Sequence, residues 1–180
     1  MTFVVLDLEA TCWEKGTRPQ LQETIEFGAV RIEGPELSIA SEFARFVRPV
    51  QEPELSEFCT QLTSITQADV DAAEYFNIVF EEFDAWSAGA RIVTWGAYDV
   101  GQLEYDCRRY GMKLPERFRD FINAKKAFAK AMEMKPCGMS RALELLEIPL
   151  AGTHHRGIDD ARNIAKIVRV LVERGAISNE

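Results

Sequence analysis

The chain opens with a short, wholly apolar run that is followed at once by acidic residues. Residues 3–6 read Phe-Val-Val-Leu, as expected for a β-strand that is buried on both faces. Asp7 and Glu9 follow at alternate positions, so on a strand their side chains leave the same face, roughly 6–7 Å apart. Aspartate is disfavoured inside strands, and two unpaired acids on one buried face repel each other. Such a strand requires a cation between the acids, unless it ends at Leu6 and both acids are solvated.

The rest of the chain alternates between strand and helix signals. Early β-rich runs and a turn at residues 33–35 indicate a hairpin or meander, and strands then alternate with helices. This order indicates an α/β layered domain with a mixed sheet. Besides residues 3–6, the predicted strands are 25–32, 42–47, 91–95 and a short edge strand at 118–122, and the predicted helices are 54–59, 67–72, 78–86, 98–110, 125–132, 140–146 and 158–174.

Size and charge set the limits on organisation. The chain has 180 residues, the length of one domain, and neither a repeat nor a linker divides it, so we expect one domain over residues 1–180. The net charge of −8 argues against nucleic-acid binding through a general basic surface. It leaves open an acidic, metal-filled site that handles a phosphate chain locally.

The sequence shows no membrane-spanning run, no signal-peptide pattern and no cysteine motif. No apolar run approaches the roughly 18–20 residues that span a bilayer, and the N-terminus lacks the basic region of a signal peptide. The four cysteines show no CxxC spacing, so we expect no membrane association and a reducing, cytoplasmic location. Zinc chemistry built on the cysteines and histidines has no ligand spacing to support it.

A third acid stands where a helix is expected to bury its apolar face. Asp160 precedes Ile164 by four residues, on the core-facing stripe of the last helix. Its neighbour Asp159 lines up with Asn163 on the polar side. A helix N-terminus favours negative charge, and this structural explanation suits Asp159 better than Asp160.

Asp99 and His155 complete the set of candidate residues. Asp99 lies in the first turn of the helix after the 91–95 strand, and His155 precedes Asp160 by five residues. By themselves these fit a helix-start charge and an exposed loop histidine beside His154. Functional groups of α/β sheets gather at the carboxyl ends of neighbouring strands, however, so the four acids and the histidine are candidates for one site. Carboxylate oxygens suit Mg²⁺ or Mn²⁺.

Three stretches resemble a known family, the DnaQ-like 3′–5′ exonucleases of the DEDDh type within the ribonuclease H-like fold. They are VLDLEAT at 5–11, TWGAYD at 94–99 and HRGIDDARN at 155–163. The chain is most similar to the Eri-type branch, whose members act on RNA 3′ ends. The runs that support this branch are EATCW at 9–13, LSEFC at 55–59, LTSIT at 62–66 and GIDD at 157–160.

The resemblance implies a three-layer α/β fold with a five-stranded mixed sheet flanked by helices. It also implies a metal-dependent 3′–5′ exonuclease that releases nucleoside monophosphates from a single-stranded 3′ end by a two-metal mechanism. Two ions, Mg²⁺ or Mn²⁺, would be held by four acids that also count as catalytic residues, with a histidine as general base. Carried over to this sequence, the acids are Asp7, Glu9, Asp99 and Asp160, and the base is His155.

Substrate contacts and substrate type are less constrained. Backbone groups at Ala10 and Thr11 are candidates to contact the terminal sugar, and Trp13 or Tyr98 is a candidate to stack on a base. RNA is favoured over DNA on branch resemblance alone, since no motif bears on the 2′-hydroxyl. The alternatives are a DNA 3′–5′ exonuclease, a catalytically silent nucleic-acid-binding module and a phosphodiesterase of very short nucleotides. Protein partners are unknown.

Overall fold

A mixed sheet forms the centre of the computed structural model, which describes residues 2–15 and 21–178. Within these residues the sheet has six strands in the order β4-β3-β2-β1-β5-β6. β1 pairs antiparallel with β2 and parallel with β5, so the first strand lies in the middle of the sheet. The strands are β1 (Thr2–Ala10), β2 (Thr24–Glu33), β3 (Ser38–Arg48), β4 (Glu74–Tyr75), β5 (Arg91–Thr94) and β6 (Ile122–Asn123).

Helices cover both faces of this sheet. Among the described residues, no helix combines the length and the apolar character needed to cross a membrane. The helices are α1 (Glu57–Thr63), α2 (Gln67–Asp71), α3 (Phe76–Trp86), α4 (Tyr98–Arg109), α5 (Glu116–Arg119), α6 (Ala124–Ala131), α7 (Met139–Leu145) and α8 (Gly157–Glu173).

The alternation of side chains along β1 separates two hydrophobic cores. Phe3 and Val5 pack in one core with residues of α6, α7 and α8. Val4 and Leu6 pack in the other core with residues of α3, α4 and α5. The expected burial on both faces is therefore confirmed. Because side chains alternate, the positions that follow Val5 on the α8 face are Asp7 and Glu9.

The structure corrects the predicted elements in three places. The sheet has six strands instead of five, because the two-residue β4 pairs with the end of β3 and is too short to show alternation. The predicted edge strand over 118–122 is wrong. Phe118 belongs to α5, where it is fully buried, and the edge strand β6 begins only at Ile122. The helix predicted over 54–59 begins at Glu57, because the Ser56 hydroxyl accepts the backbone N–H of Cys59 as an N-cap.

Candidate active site

The strand β1 continues through both acids instead of ending at Leu6. In the register with β2, Asp7 lies opposite Gly28 and Glu9 lies opposite Glu26. Both acids are partly buried. Carboxylate oxygens of Asp7, Glu9 and Asp160 lie within 4.8 Å of one another. The interpretation in which the two strand acids are simply solvated is therefore excluded.

Asp160 reaches this point because the first turn of α8 sits directly on the sheet. A Cβ atom built on Gly28 would lie 1.9 Å from the carbonyl carbon of Gly157, so no larger residue fits there. A Cβ atom on Gly157 would in turn lie 2.9 Å from the backbone oxygen of Asp7. Two glycines thus allow the start of α8 to touch β1 and β2. Asp160 follows one turn later and is buried, as its place on the core-facing stripe predicted.

Asp99 is fixed by the neighbouring strand. It lies in the first turn of α4, just after β5, and is 5% exposed. Its Oδ1 atom accepts the backbone N–H of Leu8 at 3.0 Å, which ties α4 to β1 between the two strand acids. The helix-start explanation accounts for the position of Asp99 in α4 but not for this contact across the sheet.

Burial raises the pKa values of three of these acids, and neighbouring carboxylates add to the effect at Asp7 and Glu9. Burial, followed by the charges of Asp99, Glu9, Asp160 and Glu26, raises the pKa of Asp7 well above its usual range. Burial and the charges of Asp160 and Glu26 raise the pKa of Glu9 from 4.5 to about 8. Burial raises the pKa of Asp99 to about 6, against the opposing effect of its backbone hydrogen bonds. The cluster is therefore not fully ionised near neutral pH unless positive charge is added.

The two histidines both contact Asp160. The backbone N–H of His155 donates to Asp160 Oδ2 at 3.1 Å, and His154 Nδ1 lies 2.9 Å from the same oxygen. His155 has a left-handed backbone with φ of 63°, and its ring stacks on that of His154 with centroids 4.0 Å apart. Burial, then the neighbouring His154, lowers the pKa of His155, whereas Asp160 acts in the opposite direction.

Asp159 has a structural position. Its carboxylate accepts the backbone N–H of Thr153 at 2.9 Å and pairs with Arg162 at 2.8 Å. It therefore holds the loop before the two histidines. The expectation that Asn163 lies on the polar side is wrong: Asn163 is fully buried, because its amide hydrogen-bonds the backbone N–H and C=O of Ala151.

The acids and histidines open into one cavity of about 460 Å³. Of the four expected substrate contacts, Ala10 and Tyr98 line it, and Tyr98 is 51% exposed. Thr11 is buried, and its backbone N–H donates to the carbonyl of Glu23. Trp13 is partly buried and is not among the lining residues. The lining residues are Asp7, Leu8, Glu9, Ala10, Cys12, Gln22, Leu62, Trp95, Tyr98, Asp99, Gly138, Met139, Ser140, His154, His155 and Asp160.

Comparison with known proteins identifies the family. The RNase_T exonuclease family profile matches residues 4–168. The chain belongs to the RNase_T exonuclease family. Within it, the chain is 38% identical over 189 residues to human ERI1 exoribonuclease 3, a match that covers 97% of this chain and 55% of that protein. ERI1 exoribonuclease 2 of Xenopus laevis is 32% identical over 199 residues, covering 97% of this chain and 29% of that protein.

A solved exonuclease shares the fold. The nuclease domain of 3′hExo, a DEDDh family member bound to rAMP, superimposes with a TM-score of 0.92 and 30% identity, over 97% of this chain and 93% of that one. The chain thus belongs to the Eri branch of the DEDDh exonuclease family. It spans 29% of the length of the Xenopus laevis relative and 55% of the human one. Dependence on divalent metal is typical of this exonuclease family.

The sequence analysis did not single out one buried acid next to this acid cluster, Glu26. Glu26 is 2% exposed and lies opposite Glu9 in the sheet. Its Oε2 atom accepts the backbone N–H of Gly157 at 2.9 Å, and its two oxygens accept the guanidinium of Arg156 at 3.2 and 3.3 Å. Glu26 therefore anchors the N-terminus of α8. An acid between Ile25 and Phe27 in a β-rich run was the available signal, the same kind that marked Asp7.

Proposed function

We propose that this chain is a metal-dependent 3′–5′ exonuclease that releases nucleoside monophosphates from the 3′ end of single-stranded RNA. The observation that carries the proposal is the meeting of four acids and a loop histidine in one open cavity. Those acids come from β1, α4 and α8, which are distant in sequence. The same five residues are the ones that the motifs singled out.

The acids fit a pair of divalent ions. Asp7, Glu9 and Asp160 bring their oxygens within 4.8 Å of one another. Burial and neighbouring carboxylates raise the pKa values of Asp7 and Glu9, a penalty on ionisation that bound cations would offset. We assign Asp7 to both ions, Glu9 and Asp160 to one, and Asp99 to the other. Asp99 lies outside this group of three, and one of its oxygens accepts the N–H of Leu8, so we infer that its contact is made through water. Bound Mg²⁺ or Mn²⁺ would supply positive charge that activates the attacking water and stabilises the leaving 3′ oxygen.

His155 is the general base of this proposal. A neutral imidazole accepts a proton from water near neutral pH, and the lowered pKa of His155 keeps the ring neutral. The hydrogen bond from its backbone N–H to Asp160 fixes the spacing between the base and a metal-binding carboxylate. The glycine at 152 and the left-handed backbone of His155 lie in the same loop, which can close over a bound 3′ end.

In this proposal the RNA 3′ end reaches the acids and His155 from the open side of the cavity. Tyr98 is exposed there, and we propose that it stacks on a terminal base, a contact worth about 1–3 kcal/mol. Ala10 offers backbone groups next to the acids, and Thr11 and Trp13 follow it along the chain. The two relatives named above are both exoribonucleases, and the related nuclease domain was solved with rAMP bound. Both observations support RNA as the substrate.

Domain extent and location complete the proposal. We propose one exonuclease domain over residues 1–180, of which residues 1, 16–20, 179 and 180 lie outside the described part of the chain. All four cysteines are unpaired. This supports the reducing, cytoplasmic location that we propose.

A digestion assay tests the proposal. A 5′-labelled single-stranded RNA and the DNA of the same sequence are incubated with Mg²⁺, with Mn²⁺ or with chelator. We expect a ladder that shortens from the 3′ end only with metal, and faster on RNA. Faster digestion of DNA would make the chain a DNA exonuclease. Binding without digestion, in a protein with an intact circular dichroism spectrum, would refute the proposed activity.

The matched control uses two neighbouring acids of one helix. Asp160→Asn removes a proposed metal ligand, whereas Asp159→Asn changes a carboxylate of the same charge that contacts Thr153 and Arg162 instead. Loss of the ladder only in the Asp160 variant would tie the activity to this site and exclude a contaminating nuclease.

A further inference from the structure

A second group of metal-binding atoms adjoins the acid cluster. Ligand atoms of His154, His155 and Asp160 lie within 4.8 Å of one another. His154 Nδ1 lies 3.1 and 2.9 Å from the two carboxylate oxygens of Asp160. The rings of the two histidines stack with an angle of 18° between their planes. Residues next to each other in sequence share one site because the left-handed backbone of His155 turns the chain.

The outer nitrogen of His154 is also held. Its Nε2 atom lies 3.2 Å from the hydroxyl oxygen of Ser140, at the start of α7. A serine hydroxyl both donates and accepts hydrogen bonds, so it satisfies Nε2 in either neutral tautomer of the ring. When Nδ1 binds a metal, Nε2–H donates to this oxygen. Such a partner on the second nitrogen is typical of metal-binding histidines, because it fixes the ring orientation.

The ligand atoms of His154, His155 and Asp160 favour a different metal ion from the Mg²⁺ or Mn²⁺ that the acid cluster favours. Two imidazole nitrogens and one carboxylate oxygen match the ligands of Zn²⁺, whereas Mg²⁺ takes oxygen ligands and keeps several waters. Imidazole ligands suit Zn²⁺, whereas carboxylate and water ligands suit Mg²⁺ and Mn²⁺. Three protein ligands leave the fourth position of a tetrahedral ion to water.

We propose that His154, His155 and Asp160 form a Zn²⁺ site that reversibly inhibits the enzyme. The inhibitory consequence rests on the proposed exonuclease function, whereas zinc binding itself does not. Zinc in this site occupies Asp160, which the hydrolytic reaction needs for a catalytic ion, and holds the imidazole of His155 away from water. Micromolar zinc would then stop the reaction in the presence of millimolar Mg²⁺.

Zinc binding is measured without nucleic acid. The intact chain competes with a chromophoric zinc chelator for ZnCl₂ in buffer that contains Mg²⁺. We expect one zinc ion per chain. His154→Gln removes a ligand and should weaken binding by more than about 100-fold, since loss of an outer partner alone costs about 10–100-fold. Ser140→Ala removes that outer partner and should weaken binding by about tenfold.

Glu9→Gln is the control that separates the two metal sites. Glu9 belongs to the acid cluster but not to the histidine cluster. If zinc bound among the acids instead, Glu9→Gln would weaken it and His154→Gln would not. That result, or an absence of zinc binding to a folded wild-type chain, would overturn the proposal.

The inhibition is measured separately on the 5′-labelled RNA, each variant being compared with its own zinc-free rate. We expect the zinc concentration for half-inhibition to rise in His154→Gln by the same factor as the dissociation constant. Equal sensitivity of wild type and His154→Gln would refute inhibition through this site. If no variant digests nucleic acid at all, the exonuclease proposal fails while the zinc measurement still stands.

Discussion

Glu9→Gln should make the metal-free protein more stable while it abolishes the proposed activity. Glu9 is a partly buried carboxyl on the face of β1 that it shares with Asp7. Its pKa rises from 4.5 to about 8 because burial and the charges of Asp160 and Glu26 penalise the ionised form. Glutamine has nearly the same shape and carries no charge, so the variant removes this penalty and leaves the packing in place.

The magnitude follows from the two pKa values. At pH 7 the carboxyl is ionised in the unfolded chain but largely protonated in the folded one. Folding must therefore protonate a carboxyl at a pH that lies 2.5 units above its unfolded pKa of 4.5. At about 1.4 kcal/mol per unit, this costs about 3 kcal/mol. At pH 5 the same calculation gives about 1 kcal/mol. The stability gain from Glu9→Gln should therefore grow as the pH rises.

The sign can be checked from proton binding. Since the folded state binds more protons than the unfolded state between pH 4.5 and about 8, the stability contributed by this group is present at low pH and lost as the pH rises. Wild-type stability in chelator should thus fall across this window relative to the variant. Added Mg²⁺ should reverse the order, because a ligand that binds only the folded state stabilises it by mass action.

The assay is urea denaturation of wild type and variant at pH 5, 6, 7 and 8, in chelator and in Mg²⁺. In chelator at pH 7 we expect the variant to gain up to about 3 kcal/mol, or roughly 6–12 °C in melting temperature. A variant that is no more stable than wild type, or a difference that does not change with pH, would refute the reasoning. Either result would mean that neither burial nor the neighbouring charges penalise ionised Glu9 in the folded chain.

Three further predictions concern the other site residues. His155→Ala should lower kcat by about 10²–10⁴-fold, with circular dichroism unchanged; a smaller loss, or an acidic limb of the pH–rate profile that persists in the variant, would exclude His155 as the base. Asp160→Asn should abolish turnover, whereas Asp159→Asn should lower the melting temperature and retain digestion, as measured by the labelled-RNA assay; equal losses of activity would contradict these roles. Gly28→Ala should destabilise the chain by about 3 kcal/mol or more in urea, because its Cβ would fall 1.9 Å from backbone of α8; a fully stable variant would show that α8 can move off the sheet.

Much of the site could be predicted from the sequence, because an unpaired acid in a buried strand or on the apolar stripe of a helix destabilises the fold and therefore indicates a function. Asp7, Glu9 and Asp160 were visible for that reason, and the structure brings their oxygens together. Asp99 and His155 were visible mainly through the family motifs, since a helix-start acid and a loop histidine are common. The last helix was predicted within one residue at each end, because its apolar period is long and regular.

Short edge elements were the part of the fold that local pattern failed to predict. Two residues, as in β4, cannot show alternation, and pairing with the end of β3 creates that strand. Phe118 reads equally well as strand or helix, and its place in the core against α3 decides between them. In each case the deciding contact lies far away in sequence.

The sequence by itself determined the central strand, the layered α/β class and the set of acids, because these depend on local apolar patterns and on the high cost of burying charge. Tertiary structure alone decided how the pieces meet. It set the start of α8 on Gly28, placed Glu26 beneath that helix, and turned His154 onto Asp160. Such contacts join segments more than a hundred residues apart, or depend on one left-handed residue, and neither leaves a periodic trace in the sequence.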